Sequence, residues 1–549
     1  MFAYFTALLF GLAFALWTTP IGPLERGDRL SAFLRPDVAT YVAVQRYFLA
    51  DGWRWPLLQT ALLMPPHGVN VAFADAIPIA LLPAKLLRAW LPPNFDLVRT
   101  WMMIERMLQP VAAVFALRAT GVRAAAPQIA AAIIAVSIPV WLAQDFHVAL
   151  DSHFLLLAAL GLYLLLVRDT AATALQGPLW GAGTLMAATL LIHVYLLLMV
   201  TALLFAAPLT LLLRRDRRFL QVSAGLAAGA IVTLAMALAL GYADFGDSIG
   251  FGYFSMNLLS IVDPSTSSLL PHLIAPVDAT GGQYEGFQYL GVGLWVLALA
   301  AAWLALRTLG PAKRHPGLVV VAVLMILLAL SNRIYLGRQL LVDIPAPHFL
   351  EQVRSSGRFF WPVTYIIAIG AIATVGKLLQ PRLSGPLLLA CALLQAADTA
   401  GQRVALHATS REIKAWTIDV STLRPLIAPA TQLDVWPEQA CGGIVSEEFS
   451  ELMLLASATH VPITDSIYLA RQPHDFRCAD REASLTPLRA GEVRVFLPEA
   501  GPLRAPAGWR DFCRVVGPFS VCAEALRGRK DLRAPIFTPP SPATSGSAL

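Results

Sequence analysis

Residues 219–242 read FLQVSAGLAAGAIVTLAMALALGY and contain no charged side chain. At 1.5 Å per residue, a helix of this length crosses the roughly 30 Å of hydrocarbon in a bilayer. In that solvent each backbone N–H and C=O must be paired within its own segment, which a helix achieves. The apolarity is continuous rather than alternating, so the segment is not a strand of an outer-membrane barrel. Moving outward, residues 124–144, 287–306 and 359–376 are also free of charge. Residues 170–213 are too, and that stretch is long enough for a hairpin of two helices. Of the 549 residues, 57% are hydrophobic and 14% charged, with a mean hydropathy of +0.63. Soluble domains carry about 25% charged residues. The class is therefore mainly α, a polytopic membrane helical bundle. Residues 2–17 lack the basic start and small-residue cleavage site of a secretory signal and read as an uncleaved first helix.

Arg and Lys of short loops stay on the cytoplasmic side. That rule puts Arg214, Arg215, Arg217 and Arg218 inside, with Arg307, Lys313, Arg314, Lys377 and Arg382. Loop 242–286 holds acids without Arg or Lys and goes outside. The assignments alternate over spans at 97–117, 124–143, 150–167, 176–193, 194–213, 219–241, 287–306, 316–332, 359–376 and 383–397. With residues 2–18 the expectation is about 11 transmembrane helices, a cytoplasmic N-terminus and an extracytoplasmic C-terminus. Residues 19–96 must then form an outer loop although they carry seven basic residues. Within them, 76–91 (AIPIALLPAKLLRAWL) is interrupted by Pro78 and Pro83 and reads as an amphipathic helix in the interface rather than a span.

After residue 398 the composition turns mixed. The expected organisation is a transmembrane domain over 1–398, a small α/β or mainly β extracytoplasmic C-terminal domain over 399–530, and a disordered tail over 531–549. Four of the five cysteines, Cys441, Cys478, Cys513 and Cys522, lie in that domain. Outside the cytoplasm they suggest two disulfides. Cys513 and Cys522 flank RVVGPFSV, a hairpin pattern, which leaves Cys441 to Cys478. The absence of CxxC pairs speaks against zinc. The net charge of +6 comes with no basic patch of interleaved aromatics and no Gly-rich phosphate loop, so no nucleic-acid partner is expected.

Polar residues at outward helix ends are the candidates for chemistry, because such groups are costly there unless they line a wet cavity. Asp37, in LRPDVATYV, is either a catalytic acid or the N-cap of a helix starting at Val38. In DFHVALDSHF, His147 and Asp151 are four apart and share a helix face if the helix starts that early. That spacing suits a metal pair or a His oriented by a carboxylate; alternatively these two, with Asp145 and His153, are polar residues at a solvated helix mouth. His193 lies in an apolar run and reads as a core histidine. Glu285, in GGQYEGFQYLG, abuts a span. Arg354 and Arg358, in RSSGRFFWP, are either an interfacial belt with a snorkelling Arg or a phosphate clamp.

This layout resembles the GT-C type of polytopic membrane glycosyltransferase, and within it a group of bacterial multi-pass proteins. The matching pieces are Asp37, FADAIP at 73–78, HVALDSHF at 147–154, YEGFQYLG at 284–291 and RSSGRFFWP at 354–362. The resemblance implies an inverting transfer from a polyprenyl-phosphate sugar to an envelope glycan, lipid or protein acceptor on the outer face of the bacterial inner membrane. It implies Asp37 as the catalytic base, with Asp75 its rival and Asp28 and Asp51 weaker ones. It implies substrate contacts from His147, Asp151, His153, Glu285, Arg354 and Arg358. An adjacent acidic pair found in some members is missing at Asp37, whose neighbours are Pro36 and Val38, so a divalent metal is without a clear ligand set. A transporter or flippase of lipid-linked sugar, or a non-catalytic envelope-glycan assembly subunit, would share the spans. No internal repeat of the transporter kind is evident.

Overall fold

The computed structural model describes residues 2–92, 95–144, 146–169, 171–243, 248, 250–271, 273–274, 277–308, 314–437, 446–464, 487–498, 503–504 and 507–538. They form two compact units.

The first unit gathers Met1–Ile21, Val98–Ala239 and Asp247–Arg411 and is a helical bundle. Every segment expected to cross the membrane is helical over most of its length. Among the described residues, four stretches are long and apolar enough to cross: Ala125–Ala143, Val194–Leu213, Phe219–Ala239 and Ser356–Leu378. Pro381–Asp398 and Ala400–Arg411 pass the same test only together and are bent by 52°, the geometry of a broken span or of a re-entrant loop. The other apolar helices are shorter. Lipid contact is written into Phe219–Ala239, where Leu220, Ile231, Val232, Leu234 and Leu238 are all exposed. A stripe of that size would be a liability in water and is the solvated state in lipid. The opposite face of this helix carries Gly225 and Gly229, four apart. A Cβ on Gly229 would lie 3.0 Å from Gly183 Cα on Gln176–Leu190, so the two helices meet backbone to backbone. Small residues at such contacts replace the hydrophobic drive that lipid cannot supply.

The loop after this helix has little regular structure among its described residues and is tied down by polar anchors. Asp398, fully buried at a helix end, accepts from Ser267 Oγ, Tyr289 OH (3.0 Å) and Val292 N (2.9 Å). Asn257 Nδ2 donates to Gln283 Oε1 and to Gly337 O.

The second unit gathers Gly22–Leu97, Leu240–Gly246 and Glu412–Leu549. This corrects the expected boundary at 398/399. Helix Ala400–Arg411 stays with the bundle, and the C-terminal part shares its unit with the first loop. The reason is burial. Helix Pro36–Ala50 buries Val38, Ala39, Tyr41, Val42, Val44, Tyr47 and Phe48, too broad an apolar surface for the loop alone to cover. Helix Glu447–Thr459 packs against it. Tyr47 OH donates to Val461 O at 2.9 Å, and strand Arg29–Ser31 pairs antiparallel with Ile413–Ala415. A four-stranded sheet completes the unit, in the order Cys513–Val516, Phe519–Ala523, Glu492–Phe496, Gln432–Trp436, with only the last pair parallel.

Cys513 and Cys522 face each other across the hairpin and are disulfide-bonded. Cys441 and Cys478 lie outside the described residues. The tail is in part ordered, contrary to expectation: Phe537–Thr538 pairs parallel with Leu503–Arg504, and Val515 N donates to Arg533 O. Helix Pro78–Leu86 has nine residues, too few to cross. Leu86 at its end, and Leu87 and Trp90 just after it, are exposed.

Candidate active site

One mouth of the bundle is built on a close approach of two loops. A Cβ on Gly357 would lie 2.5 Å from Gly286 Cα, and one on Gly286 would lie 2.2 Å from Ser255 O. Only glycine fits either place. Gly357 N donates to Phe254 O at 3.1 Å and Gln288 Nε2 to Gly357 O at 2.8 Å, which fixes the approach. The consequence is that Glu285 lies against Arg358. Arg358 Nε donates to Glu285 Oε2 (2.9 Å) and Nη2 to Oε1 (2.7 Å), a bidentate fork. Both side chains are buried, at 7% and 6% exposure. The Arg358 guanidinium lies 5.4 Å from the Tyr195 ring centroid, and Tyr195 OH accepts from Ser355 N. A snorkelling belt is therefore not what RSSGRFFWP forms, since Phe359, Phe360 and Trp361 are buried as well.

His147 Nε2 lies 3.9 Å from Glu285 Oε1, within ion-pair reach, and the imidazole is part-exposed. Arg354 is also part-exposed and stacks over Phe254 at 5.6 Å. Burial works to raise the Glu285 carboxyl, but Arg358, His147 and Arg354 more than reverse it, holding its pKa below the usual carboxylate value. The mouth thus joins His147, Glu285, Arg354 and Arg358 from separate segments.

Asp151 and His153 do not join them. The helix begins only at Phe154, so 147–151 forms a turn in which Leu150 N and Asp151 N both donate to His147 O. His147 and Asp151 consequently share no helix face. Asp151, Ser152 and His153 point into the bundle with exposures of 2%, 0% and 0%. Ser152 Oγ donates to Glu105 Oε2 (3.2 Å) and accepts from Trp101 Nε1 (3.0 Å). His153 Nδ1 is hydrogen-bonded to Tyr365 OH (2.9 Å), which also accepts from Gln109 Nε2 (2.9 Å). Asp145 lies outside the described residues. His193 is not a core residue either: its Nδ1 accepts from Tyr195 N and caps helix Val194–Leu213. Among the described residues no three His, Cys, Asp or Glu side chains are grouped to hold a metal ion.

In the second unit, Asp37 is not an N-cap. The helix starts at Pro36 with Arg35 in the cap position, leaving Asp37 part-exposed in the first turn. A carboxylate there is favoured by the helix dipole. Asp75 has φ +51° and Ile77 φ +56°, left-handed conformations that are unfavourable for such side chains, above all for β-branched Ile. Asp51 is structural. Its carboxylate accepts from Gly52 N, Ala61 N, Thr60 Oγ1 and Arg54, and although burial opposes this, these bonds hold its pKa at about 2.

Residues 8–400 match the family described as Domain of unknown function (DUF6311). The chain belongs to that family. No curated protein matches it. Among solved structures, this DUF6311 chain is similar to ArnT from Cupriavidus metallidurans in the apo state, at 13% identity and a TM-score of 0.45, covering 96% of this chain and 98% of that one. The same protein bound to undecaprenyl phosphate matches at 14% identity and 0.45, with the same coverage. The Archaeoglobus fulgidus oligosaccharyltransferase tethered with an acceptor peptide matches at 11% and 0.44, covering 85% of this chain and 64% of that one.

Sequence reasoning passed over Glu105 and Arg106 of the DUF6311 bundle, both 1% exposed. The signal was available: adjacent opposite charges inside the apolar run WMMIERMLQP, which lipid would not tolerate without partners. Arg106 Nη1 donates to Thr19 Oγ1 at 2.7 Å.

Proposed function

We propose that this protein is an inverting membrane glycosyltransferase of the GT-C type. It moves a sugar from a polyprenyl-phosphate donor to a glycan, lipid or protein acceptor on the extracytoplasmic face of a bacterial inner membrane. The N-terminus is cytoplasmic and the C-terminal part extracytoplasmic. The observation that carries this reading is the gathering of His147, Glu285, Arg354 and Arg358 at one mouth of an apolar bundle, where a lipid-borne anion would meet them. The motif resemblance across residues 37–362 supports it.

In this reading Asp37 removes the proton from an acceptor hydroxyl, whose oxygen attacks the anomeric carbon from the face opposite the phosphate. The bond from that carbon to the phosphate oxygen breaks, and the polyprenyl phosphate leaves with the electron pair. Arg354, part-exposed and stacked on an aromatic ring, meets that phosphate. Arg358, committed to Glu285, sets the position of the carboxylate and of the loop that carries Arg354. His147 is the second cation when protonated.

The test is sugar transfer by purified protein from a labelled polyprenyl-phosphate sugar. Asp37→Asn keeps the shape of the first helical turn and should lower turnover by about 10²–10⁴-fold, the usual worth of general-base help. Parental turnover in a folded Asp37→Asn protein overturns the assignment. If Asp75→Asn is then the inactive variant, the base is Asp75. Donor crossing the membrane without sugar transfer would make the protein a flippase.

A further inference from the structure

The end of the bundle opposite the Glu285–Arg358 mouth contains a cavity of about 830 Å³. That volume is in the roughly 300–1,000 Å³ range of small-molecule sites. Helix Trp361–Leu378 connects the two ends, and its 18 residues separate them by about 27 Å. The cavity walls are apolar, formed by Leu160, Leu164, Leu318, Ala322, Ile369 and Ala373. Its rim is cationic: Arg168, Arg214, Arg314 and Lys377. Asp169, the acid among the lining residues, has an almost fully exposed side chain and pairs with Arg218 at 3.3 Å. Arg314 and Lys377 are close enough for their charges to act on one another. His315, hydrogen-bonded to Tyr163 OH at 2.9 Å, reports the same convergence. Burial and then the charges of Arg214, Lys377 and Arg314 push its imidazole down to about 4, so it stays neutral.

Crowded like charges beside an apolar cavity at a membrane boundary are relieved by one kind of ligand, an anion that brings its own hydrocarbon. We propose that this cavity binds an anionic phospholipid from the adjacent leaflet, its phosphate among Arg214, Arg314 and Lys377 and an acyl chain between the apolar walls. Basic pockets between helices on the cytoplasmic side suit such headgroups. The inference is independent of the glycosyl-transfer reading, because no residue of the Glu285–Arg358 mouth takes part.

The experiment reconstitutes the full chain in phosphatidylcholine nanodiscs with increasing phosphatidylglycerol and measures retained lipid by native mass spectrometry. Wild type should retain phosphatidylglycerol in preference to phosphatidylcholine. The double variant R314Q/K377Q should lose about thirtyfold in that preference, at about 1 kcal/mol per basic residue. The swap R314K/K377R should keep most of it. Equal retention of the two lipids by wild type overturns the proposal, and so does an unchanged preference in R314Q/K377Q. If inorganic phosphate protects the protein from thermal unfolding and phosphatidylglycerol does not, the ligand is a free anion and the lipid site falls. Should R314Q/K377Q fail to fold, the wild-type preference and the swap variant still decide.

Discussion

The two ends of helix Trp361–Leu378 handle positive charge in opposite ways. At one end Arg358 is buried and neutralised by a carboxylate of the protein itself, held in a bidentate fork. At the other, Arg314 and Lys377 rim a cavity whose lining acid turns to solvent and to Arg218. A charge committed to an internal partner builds structure. A charge left facing a cavity is available to an external one. The difference separates the rigid part of the Glu285–Arg358 mouth from the groups, Arg354 and His147, that remain part-exposed there.

The comparison predicts unequal responses to neutralisation. Arg358→Ala strands Glu285 in a buried place and should destabilise the protein by about 3–5 kcal/mol in thermal or denaturant unfolding. The double variant E285Q/R358Q should cost less than the sum of the single ones, because the partners act as a unit. Strict additivity would mean that the fork contributes nothing as a pair.

Acid should act more gently on the same contact. The Glu285 carboxyl titrates below its ordinary 4.5 when folded, so the unfolded chain takes up its proton first as pH falls. Its contribution is full above the ordinary value and is lost as pH drops through the lower folded value. Glu285→Gln should remove that part of the acid sensitivity, read as the slope of melting temperature against pH. An unchanged slope would place the acid-sensitive groups elsewhere.

The smallest effect belongs to the cationic rim at the other end. In detergent without anionic lipid, Arg314→Gln and Lys377→Gln should each leave stability within about 0.5 kcal/mol, as surface substitutions do. A large loss in either would mean that the rim, like the mouth, is built on an internal partner.

What the sequence disclosed follows from how local each signal is. Apolar runs such as 219–239 announce helices because lipid solvation acts on each segment alone. Glu285, Arg354 and Arg358 were legible as candidates, yet not their pairing, which depends on Gly286 and Gly357 meeting across some seventy residues of chain. Whether His147 and Asp151 share a face depended on where the helix starts, and it starts later, at Phe154. The union of 22–97 with 412–538 left no periodic trace, since a half-covered surface such as that of Pro36–Ala50 does not say which distant segment covers it.

That union also imposes a schedule on biosynthesis. Pro36–Ala50 emerges early, and its cover Glu447–Thr459 follows roughly 400 residues later. At about 5–20 residues per second the wait is on the order of 20–80 s. Through that interval the helices from Leu97–Ala119 to Pro381–Asp398 are made while the apolar flank of Pro36–Ala50 stands open to chaperones and proteases. The segment bearing Asp37 can take its final form only when the last part of the chain arrives, so a product cut short after Arg411 would carry a complete bundle and an unfinished second unit.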